Sequence, residues 1–594
     1  MTTSLDSGSR QRRRRVRLTP VDPIPVAYAG TRAAEGPFTL GQLNTWQWLK
    51  LAPDHFSAIL FVELPVPDGV TAADVAETTA VLVSRHEGLR TTYVLEEPYR
   101  QVVEAAGVLT LHVCSLGEGS WGPDDRATVA GPLVAWLRER RGTLATPLRI
   151  AVAVDGHGTV VACAVGISHM AADLGALEVV KREFAELLAD PTRRQVGEPR
   201  HQPLDQAELE TTPAERRRAE AALAYLTDQS WRIPRALYSL PGVRASGEHV
   251  GVELSSVAAA MAVRQVAART RASRSAVVLS AICAVLARRT GYRELVFPLL
   301  SNNRFDRRLV DYVGSLAQGS LVTVEVGDRG FDALAKHTWT AVLEASRHGR
   351  YDGVDRGAMG DHVEHRRGLK FFYDPLFNSL VPESWSGANA GVRLRPEEIT
   401  AALPRTELRR RPVPPNGTPV RFGLHQVDGR LLLDLWSADS GLVPGDELES
   451  LLLAVERLLV AAAGGDLDAA GVREAIGLDP IARTPDWVLV DSSWVDLAEV
   501  QRLLDEALAP STARVFPSVD GRDLVAYLTA SEAVRTPEQA HARCMAALSA
   551  YRTALTPRHY VVCATAPDDP TDPAGWPAPL VAGDGRGVTG TRGR

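Results

Sequence analysis

One twelve-residue stretch, Val165 to Ala176, holds residue types that could do acid–base chemistry. It reads V-G-I-S-H-M-A-A-D-L-G-A, with His169 and Asp173 spaced H-x-x-x-D. Imidazole accepts a proton near neutral pH, so His169 could deprotonate an incoming amine or hydroxyl. An aspartate four residues later is not placed to orient the ring as in a Ser-His-Asp triad. It could instead anchor the loop through an ion pair with an arginine elsewhere.

The spacing alone leaves a second interpretation open. His169 is then a buried core histidine with its hydrogen bonds satisfied, and Asp173 is the N-cap of the next helix. Because H-x-x-x-D is a short pattern, spacing does not separate a base in a cleft from a core residue.

The elements around the motif are predicted by periodicity. Apolar residues from Gly158 to Ile167 form a strand that pairs as a hairpin with Pro147–Val154 around the turn D-G-H-G. The strand is apolar almost throughout, so it should be covered on both faces. It delivers Ser168 and His169 at its end, before a helical pattern over Leu177–Ala189.

The composition is that of a globular protein with more than one core. The chain has 594 residues, 45% hydrophobic and 23% charged, which predicts two or three domains. A net charge of −6 gives no global attraction to nucleic acid or anionic membrane. Five scattered cysteines, with no secretory signal, favour a cytoplasmic protein without disulfides.

Four regions are predicted along the chain. Residues 1–36 form a disordered basic tail, 37–235 and 236–475 form two α/β lobes, and 485–594 form a small α+β module.

Two helix ends are also predicted. Thr39 caps a helix over Pro37–Leu51, and Gly88 stops a helix over Thr71–Arg85 through a left-handed conformation.

Other chemical motifs are scarce. The chain has no G-x-x-x-x-G-K-[ST] or G-x-S-x-G sequence. Asp361–His365 reads D-H-V-E-H and could bind a metal, but H-E-x-x-H spacing is absent and a solvated loop is expected. No metal site is predicted.

Several segments occur together in the order seen in one family. They are P-F-T-L-G-Q-L-N-T-W (37–46), R-H-E-G-L-R-T (85–91), S-H-M-A-A-D-L (168–174), the stretch Leu223–Trp231, whose Tyr225 and Trp231 are not adjacent, N-N-R (302–304) and V-G-S-L-A-Q-G (313–319). Over about residues 37–470 the chain resembles the condensation domains of nonribosomal peptide synthetases, within the acyltransferase superfamily that shares H-H-x-x-x-D-G. R-H-E-G-L-R-T is the most specific single match.

The resemblance implies an α/β fold of two chloramphenicol-acetyltransferase-like lobes forming a V with a central tunnel, plus the small C-terminal module. Phosphopantetheine arms of carrier proteins would enter the tunnel from opposite sides. On this mapping His169 is the catalytic base, and Arg304 pairs with Asp173 in a structural role.

The departures from the family pattern define further candidates. Ser168 replaces the first His of the motif, Leu174 replaces its Gly with Gly175 following, and Gln318 and Gly319 replace N-T. Ser168, Leu174, Gly175 and Gln318 are predicted as possible tunnel or oxyanion residues. Ser168 also argues against the cyclising subclass, which has D-x-x-x-x-D here.

The resemblance predicts a free-standing condensation enzyme of natural-product biosynthesis. It would join a carrier-bound acyl or aminoacyl thioester to an amine or hydroxyl. The acyl group would be carried as a phosphopantetheine thioester on a carrier protein supplied in trans, with no bound cofactor, nucleic acid or membrane. Two alternatives stay open: an inactive module that recruits a carrier or tailoring enzyme, and an acyl-CoA-dependent acyltransferase.

The C-terminal module is similar to the small lobe of adenylating enzymes in V-D-L-A-E-V (495–500), D-G-R-D-L-V-A-Y-L (520–528) and L-T-P-R-H-Y-V-V (555–562). It contains no lysine, whereas that family uses a late catalytic lysine. Docking to a carrier or partner, or a relic, is therefore predicted rather than adenylation.

Overall fold

The computed structural model describes residues 16–51, 59–117, 121, 125–140, 147–194, 200–241, 247–372, 374–381, 394–411 and 419–587. The chain divides into two compact units. The first unit comprises Met1–Arg216 and Arg304–Ala317, and the second comprises Arg217–Asn303 and Gln318–Arg594.

The elements from the N-terminus to the point of division alternate strands and helices. They are β1 (Thr19–Pro20), β2 (Ile24–Ala29), β3 (Ala34–Pro37), α1 (Leu40–Leu51), β4 (Ile59–Leu64), α2 (Ala72–Arg85), β5 (Thr91–Val94), β6 (Arg100–Val103), β7 (Ala106–Ser115), α3 (Arg126–Glu139), β8 (Leu148–Val154), β9 (Val160–Ser168), α4 (Leu174–Ala189), α5 (Pro203–Glu210) and α6 (Pro213–Ser230).

The main sheet of the first unit has the order β1-β7-β8-β9-β4, and β2 also pairs with β7. β7 and β8 are parallel, whereas β8 and β9 form the predicted antiparallel hairpin. Every residue of β9 is buried, because one core cluster packs on each face of the sheet. The predicted doubly covered strand is therefore confirmed, and it ends at Ser168.

The predicted tail over residues 1–36 is wrong for residues 16–36; residues 1–15 lie outside the described ranges. β2 pairs with β7 and buries Val26 in the core. Among the described strands β2 pairs with β7 alone, so Pro25, which has no N–H, removes no bond from a central ladder. The basic and proline-rich composition of residues 1–36 had favoured a disordered tail, whereas residues 24–29 form a short edge strand.

One of the two predicted helix ends is confirmed. Thr39 accepts a hydrogen bond from the Gln42 N–H at 3.1 Å and caps α1. The prediction for Gly88 is wrong, because α2 already ends at His86, and residues 87–90 form one turn of 3-10 helix.

The second unit continues with thirteen strands and nine helices in the described ranges. They are β10 (Val250–Ser256), α7 (Val257–Thr270), α8 (Arg274–Thr290), β11 (Glu294–Ser301), β12 (Gln318–Glu325), α9 (Phe331–Arg347), α10 (Gly353–Arg367), β13 (Leu376–Ser379), α11 (Pro396–Thr400), β14 (Glu407–Arg411), β15 (Val420–Gln426), β16 (Leu431–Ser437), α12 (Gly445–Ala463), α13 (Ala469–Ile476), β17 (Trp487–Val490), β18 (Ser493–Asp496), α14 (Leu497–Ala507), β19 (Ala513–Pro517), β20 (Leu524–Thr529), α15 (Pro537–Ala547), β21 (His559–Cys563) and β22 (Pro579–Asp584).

The large sheet of this unit has the order β12-β11-β13-β15-β16-β10-β14. Its core is built with the apolar helices α7, α8 and α12, which contribute many of the buried aliphatic side chains. No single helix in the described ranges has the length and apolarity of a membrane span. α7 and α8 meet that criterion only together, as a pair bent by 104°.

The C-terminal module, which we define as β17 to β22, has a four-stranded sheet in the order β19-β20-β21-β22. α14 and α15 supply much of its core, and Leu369 from the preceding lobe lies in the same apolar cluster. The module and the second lobe therefore share buried surface.

Arg235 fastens the module to the second lobe. Its side chain is fully buried and lies over the Phe372 ring, 5.0 Å from the centroid. The guanidinium donates at 2.5 to 3.3 Å to four main-chain carbonyl oxygens, those of Lys370, Leu548, Tyr551 and Arg552. Burial lowers the pKa of Arg235 to about 9, and nearby carboxylates such as Glu499 oppose that shift.

Two predicted boundaries differ from the structure. The first unit also includes residues 304–317, which lie between β11 and β12 in the sequence. Its N-terminal part ends inside α6, at Arg216, rather than at residue 235. Residues after the division contact the second lobe, as when the Tyr225 hydroxyl donates to the Leu321 carbonyl at 2.8 Å. Domain boundaries predicted from sequence do not include the return of residues 304–317 to the first unit, because no local change in composition marks this segment.

The loop predicted at Asp361–His365 is also wrong. These residues lie in α10, which is capped by the Asp352 side chain and ends at Gly368. No group of three or more metal-ligating side chains occurs in the described part of the chain.

Replacing Arg235 by Met should lower the free energy of unfolding by about 3 kcal/mol, because four buried carbonyl oxygens lose a charged donor. Urea denaturation followed by fluorescence measures the change. Arg522→Met, at an exposed turn of the same module, is the matched control and should be neutral. Equal midpoints for both variants would contradict the fastening role of Arg235.

Candidate functional site

A tight turn follows β9 and holds His169. The N–H groups of Ala171 and Ala172 donate to the Ser168 carbonyl at 2.8 and 3.0 Å, and the Met170 N–H donates to Ser168 Oγ at 3.3 Å. Ser168 is 1% exposed. Its hydroxyl oxygen therefore accepts a hydrogen bond inside the turn, and its tunnel or oxyanion role stays a prediction.

His169 is half-buried at this turn. Its Nδ1 is buried and has no hydrogen-bond partner among the described residues. The imidazole packs in a T-shaped arrangement with the Trp48 indole, with ring centroids 5.7 Å apart. Burial lowers the pKa of His169, and the Asp173 carboxylate opposes this shift. The imidazole is therefore neutral near pH 7 and can accept a proton.

Asp173 is a buried carboxylate with five polar contacts. Arg304 approaches both oxygens, with Nη1 at 2.8 Å and Nη2 at 2.7 Å. Three main-chain N–H groups complete the set, from Ala176 at 2.9 Å, Leu316 at 2.8 Å and Ala317 at 2.9 Å. Asp173 thus acts both as the N-cap of α4 and as a loop anchor.

The charge balance at Asp173 favours the carboxylate. Burial raises the pKa of Asp173, but the Arg304 guanidinium and the N–H donors outweigh it, and the net pKa is lowered. The charge is buried and paired at once, a condition in which loss of either partner is costly. Arg304 and Asp173 therefore form the ion pair that the resemblance implied.

The Arg304–Ala317 segment packs closely on the first unit. A Cβ built on Gly41 of α1 would lie 2.1 Å from the Ser315 carbonyl oxygen. A Cβ on Gly88 would lie 2.7 Å from the Val313 carbonyl oxygen and 3.2 Å from that of Ala171. Gly88 is thus needed for close approach of main chains and not for a left-handed turn.

Gly175 is needed for the same reason. A Cβ there would lie 2.6 Å from the guanidinium carbon of Arg304. Leu174 begins α4 and is half-buried. Because any residue except proline keeps its main-chain N–H, leucine at position 174 leaves that donor in place. Leu174 and Gly175 stay predictions as oxyanion residues.

The R-H-E-G-L-R stretch is tied to α4 through charge. Glu183 of α4 contacts Arg85 at 2.7 Å and His86 at 3.1 Å, and it also pairs with Arg200. Burial raises the pKa of Glu183, but the His86 hydrogen bond and the two arginines outweigh it and lower this pKa to about 2. The R-H-E-G-L-R-T segment is therefore held by ion pairs and a hydrogen bond against α4, the helix that follows His169.

Gln318 lies in the second unit. Its Nε2 donates to the Tyr351 carbonyl at 2.8 Å, and its Oε1 is buried with no partner in the described ranges. The hydrogen bond to Tyr351 is a structural contact, and the tunnel role of Gln318 stays a prediction.

Two residues of the site were not predicted from the sequence. Trp48 lies two positions after the motif residue Trp46, and its spacing carried no signal. The sequence around Glu183 did contain a signal, since this residue lies on the buried face of α4 among aliphatic residues such as Val180 and Leu187. A carboxylate on an apolar helix face requires a buried cationic partner.

Replacing Gly175 by Ala should lower the free energy of unfolding by about 1–3 kcal/mol, because the new methyl group displaces the Arg304 guanidinium. Thermal or urea denaturation measures the change. Gly357→Ala is the control: it lies inside α10 with open space around the added carbon, so it should be neutral or stabilising. A stable Gly175→Ala protein would contradict the close contact.

Glu183 should contribute to acid sensitivity. Its pKa is about 2 in the folded chain and about 4.3 when unfolded, so its contribution is complete above about pH 5 and is lost as the pH falls toward 2. Glu183→Gln should lower stability at pH 7 and flatten its dependence between pH 5 and 2. Glu178→Gln, exposed on the same helix, should keep the wild-type slope. Parallel curves for Glu183→Gln and wild type would exclude this contribution.

No family model matches the chain, and no curated protein matches it either. Solved structures do match. The first condensation domain of the calcium-dependent antibiotic synthetase has a TM-score of 0.53 at 19% identity, over 74% of this chain and 98% of that one.

Two further matches agree with it. A condensation domain linked to chain release from the enacyloxin polyketide synthase has a TM-score of 0.56 at 19% identity, covering 73% of this chain and 84% of that one. The X-domain from teicoplanin biosynthesis has a TM-score of 0.53 at 18% identity, covering 75% and 98%. About three quarters of the chain therefore has the condensation-domain fold.

Proposed function

We propose that this protein is a free-standing condensation-type acyltransferase of natural-product biosynthesis. It joins an acyl or aminoacyl thioester, held on the phosphopantetheine arm of a carrier protein, to an amine or hydroxyl acceptor. The carrier is supplied in trans, and the protein itself holds no cofactor.

The state of His169 carries this proposal. The side chain is half-buried, its pKa is lowered by burial, and its turn is anchored by the buried Asp173 carboxylate. A general base must be neutral, accessible and held in place at the working pH. The lowered pKa and the anchored turn of His169 support this role, whereas Ser168 beside it is buried in the turn.

The proposed reaction needs His169 to take up one proton and to give it back. Nε2 accepts a proton from the acceptor as its nitrogen or oxygen attacks the thioester carbonyl carbon. The tetrahedral intermediate then collapses, the C–S bond breaks, and the leaving phosphopantetheine sulfur takes that proton from the His169 imidazolium. An amide or ester and a free thiol are the products. Asp173 and Arg304 hold the turn without contacting the reacting atoms.

The structural matches support the same chemistry. One is the first condensation domain of an antibiotic synthetase, solved with substrate analogues, and another mediates chain release from a polyketide synthase. Both proteins are less than 20% identical to this chain. At this distance the matches show the fold, and the chemistry is our proposal.

A second candidate function is a non-catalytic module that recruits a carrier or tailoring enzyme. Its specific support is Ser168, a buried turn residue where the family motif has its first histidine. Such a module would bind a carrier and release no acyl product. An acyl-CoA-dependent acyltransferase is the third candidate, and it would use CoA donors as readily as carrier-bound ones.

His169→Ala should reduce product formation by about 10²–10⁴-fold, the usual contribution of a general base. Intact mass spectrometry of loaded carriers, incubated with candidate acceptors, measures the loss of the acyl group and the appearance of product. Because the pKa of His169 is lowered, the rate should stay constant down to below pH 6.5 and then fall as the imidazole is protonated.

His157→Ala is the matched control, since His157 is exposed in the β8–β9 turn. It should keep wild-type turnover and the wild-type pH profile. Undiminished turnover in His169→Ala would exclude the base role, and carrier binding without transfer for every donor would favour the recruiting module. CoA-linked donors assayed in parallel identify the third candidate.

A further inference from the structure

We propose that Trp48 is a positioning residue for His169: its indole covers one side of the imidazole, keeps water from that side and fixes the orientation of the ring. The two side chains belong to different elements of the first unit, α1 and the turn after β9. The catalytic consequence rests on the proposed function, whereas the contact and its effect on the imidazole do not.

The two rings pack in a defined geometry. The centroids of the Trp48 indole and the His169 imidazole lie 5.7 Å apart, and the ring planes are inclined by 69°. Aromatic rings prefer such a T-shaped arrangement to a face-to-face stack. Because the second side-chain torsion of histidine has broad minima, the orientation of the imidazole depends on neighbours of this kind.

Helix α1 is anchored independently of Trp48. Gly41, Thr45 and Leu49 are spaced four residues apart, so they lie along one face of the helix. A Cβ on Gly41 would lie 2.1 Å from the Ser315 carbonyl oxygen, which shows how closely the two main chains approach. One turn later, Thr45 Oγ1 and Ser315 Oγ are hydrogen-bonded at 3.0 Å. The first half of α1 is therefore fixed against the Arg304–Ala317 segment.

Leu49 continues this face onto the turn that holds the candidate base. Leu49 and Met170 are both fully buried and form one apolar cluster. Met170 directly follows His169 in the chain, so α1 packs against the neighbour of the base. Trp48 precedes Leu49 by one residue and lies beside the anchored face, where its indole reaches the imidazole.

Trp48 is placed at the boundary between core and solvent. Its side chain is 38% exposed, whereas Leu49 beside it is completely buried. Tryptophan is on average a highly buried residue, so a partly open indole next to a titratable ring is an uncommon use of this side chain. Since other residues anchor α1, Trp48 can be replaced without releasing the helix.

The charged groups around the pair leave the imidazole sensitive to its cover. Burial lowers the pKa of His169, and the Asp173 carboxylate, itself paired with Arg304, opposes this shift. Lys50, the basic residue in the last turn of α1, is bound elsewhere: its Nζ donates to the Tyr99 hydroxyl at 2.7 Å. The neighbours that exclude water therefore determine how far this pKa falls, and Trp48 is one of them.

Removing the indole has two expected effects on His169. Water reaches one side of the ring and stabilises the imidazolium, so the pKa rises toward 6.5. The ring also gains rotational freedom, so it is less often oriented toward the acceptor. If Trp48 only stabilised the fold, its loss would lower the melting temperature and leave the titration of His169 unchanged.

The experiment is NMR spectroscopy of the full chain with carbon-13 at Cε1 of its 14 histidines, titrated between about pH 5 and 8. The His169 signal is the one that is lost in His169→Ala. Trp48→Ala should move its midpoint toward 6.5, whereas Trp48→Phe, which keeps an aromatic ring, should stay close to wild type. With loaded carriers, Trp48→Ala should lower kcat by about 10- to 100-fold, and Trp48→Phe should restore most of it.

Trp136→Ala is the matched control, because Trp136 packs on His112 in the same T-shaped way, with centroids 5.8 Å apart. It should leave the His169 titration and the turnover unchanged. An unchanged His169 midpoint in Trp48→Ala would overturn the proposal, and so would an equal shift of this midpoint in Trp136→Ala. If Trp48→Ala does not fold, Trp48→Gln makes the same test at this partly exposed helix position.

The positioning role and the base role fail in different ways. Full turnover in His169→Ala, together with the expected midpoint shift in Trp48→Ala, would exclude the base role and leave the positioning of the ring by Trp48 in place. Lost turnover in His169→Ala, with wild-type midpoint and turnover in Trp48→Ala, would support the base and overturn the role of Trp48.

Discussion

The buried carboxylate of Asp173 is the interaction on which the candidate site depends. Removing an ionised carboxylate from water is costly unless charge and hydrogen bonds replace the solvent. Two contacts from Arg304 and three main-chain N–H groups provide that replacement. Because these donors come from α4 and from a segment far away in sequence, one charge fixes three parts of the chain beside His169.

Close packing around this charge explains the small residues near it. Gly41, Gly88 and Gly175 each lie where a single methyl group would meet main chain or the Arg304 guanidinium. Farther along α4, the buried Glu183 pairs with Arg85 and Arg200 and lies 3.1 Å from His86 Nε2. These contacts give Arg85, His86 and Asp173 structural roles around the turn that holds His169.

The C-terminal module is part of the second unit rather than an appended domain. Arg235 and Arg367 are buried arginines whose donors are taken up by carbonyl groups and by Asp491 on the two sides of the junction. Such contacts lose their value if the module leaves, since the charges would be buried without partners. The module is therefore held against the second lobe by buried contacts of two arginines.

The sequence by itself determined the local elements and the motif. Alternating and continuous apolar runs predicted the β8–β9 hairpin, Thr39 marked the start of α1, and the ordered motifs pointed to the condensation-domain fold. It did not reveal the strand at residues 24–29, the helix through Asp361–His365 or the excursion of residues 304–317, because each depends on partners distant in sequence. The half-burial of His169 and the five polar contacts of Asp173 likewise became visible only in the tertiary structure. Burial and partners are properties of the packed chain, because they depend on residues that are distant in sequence.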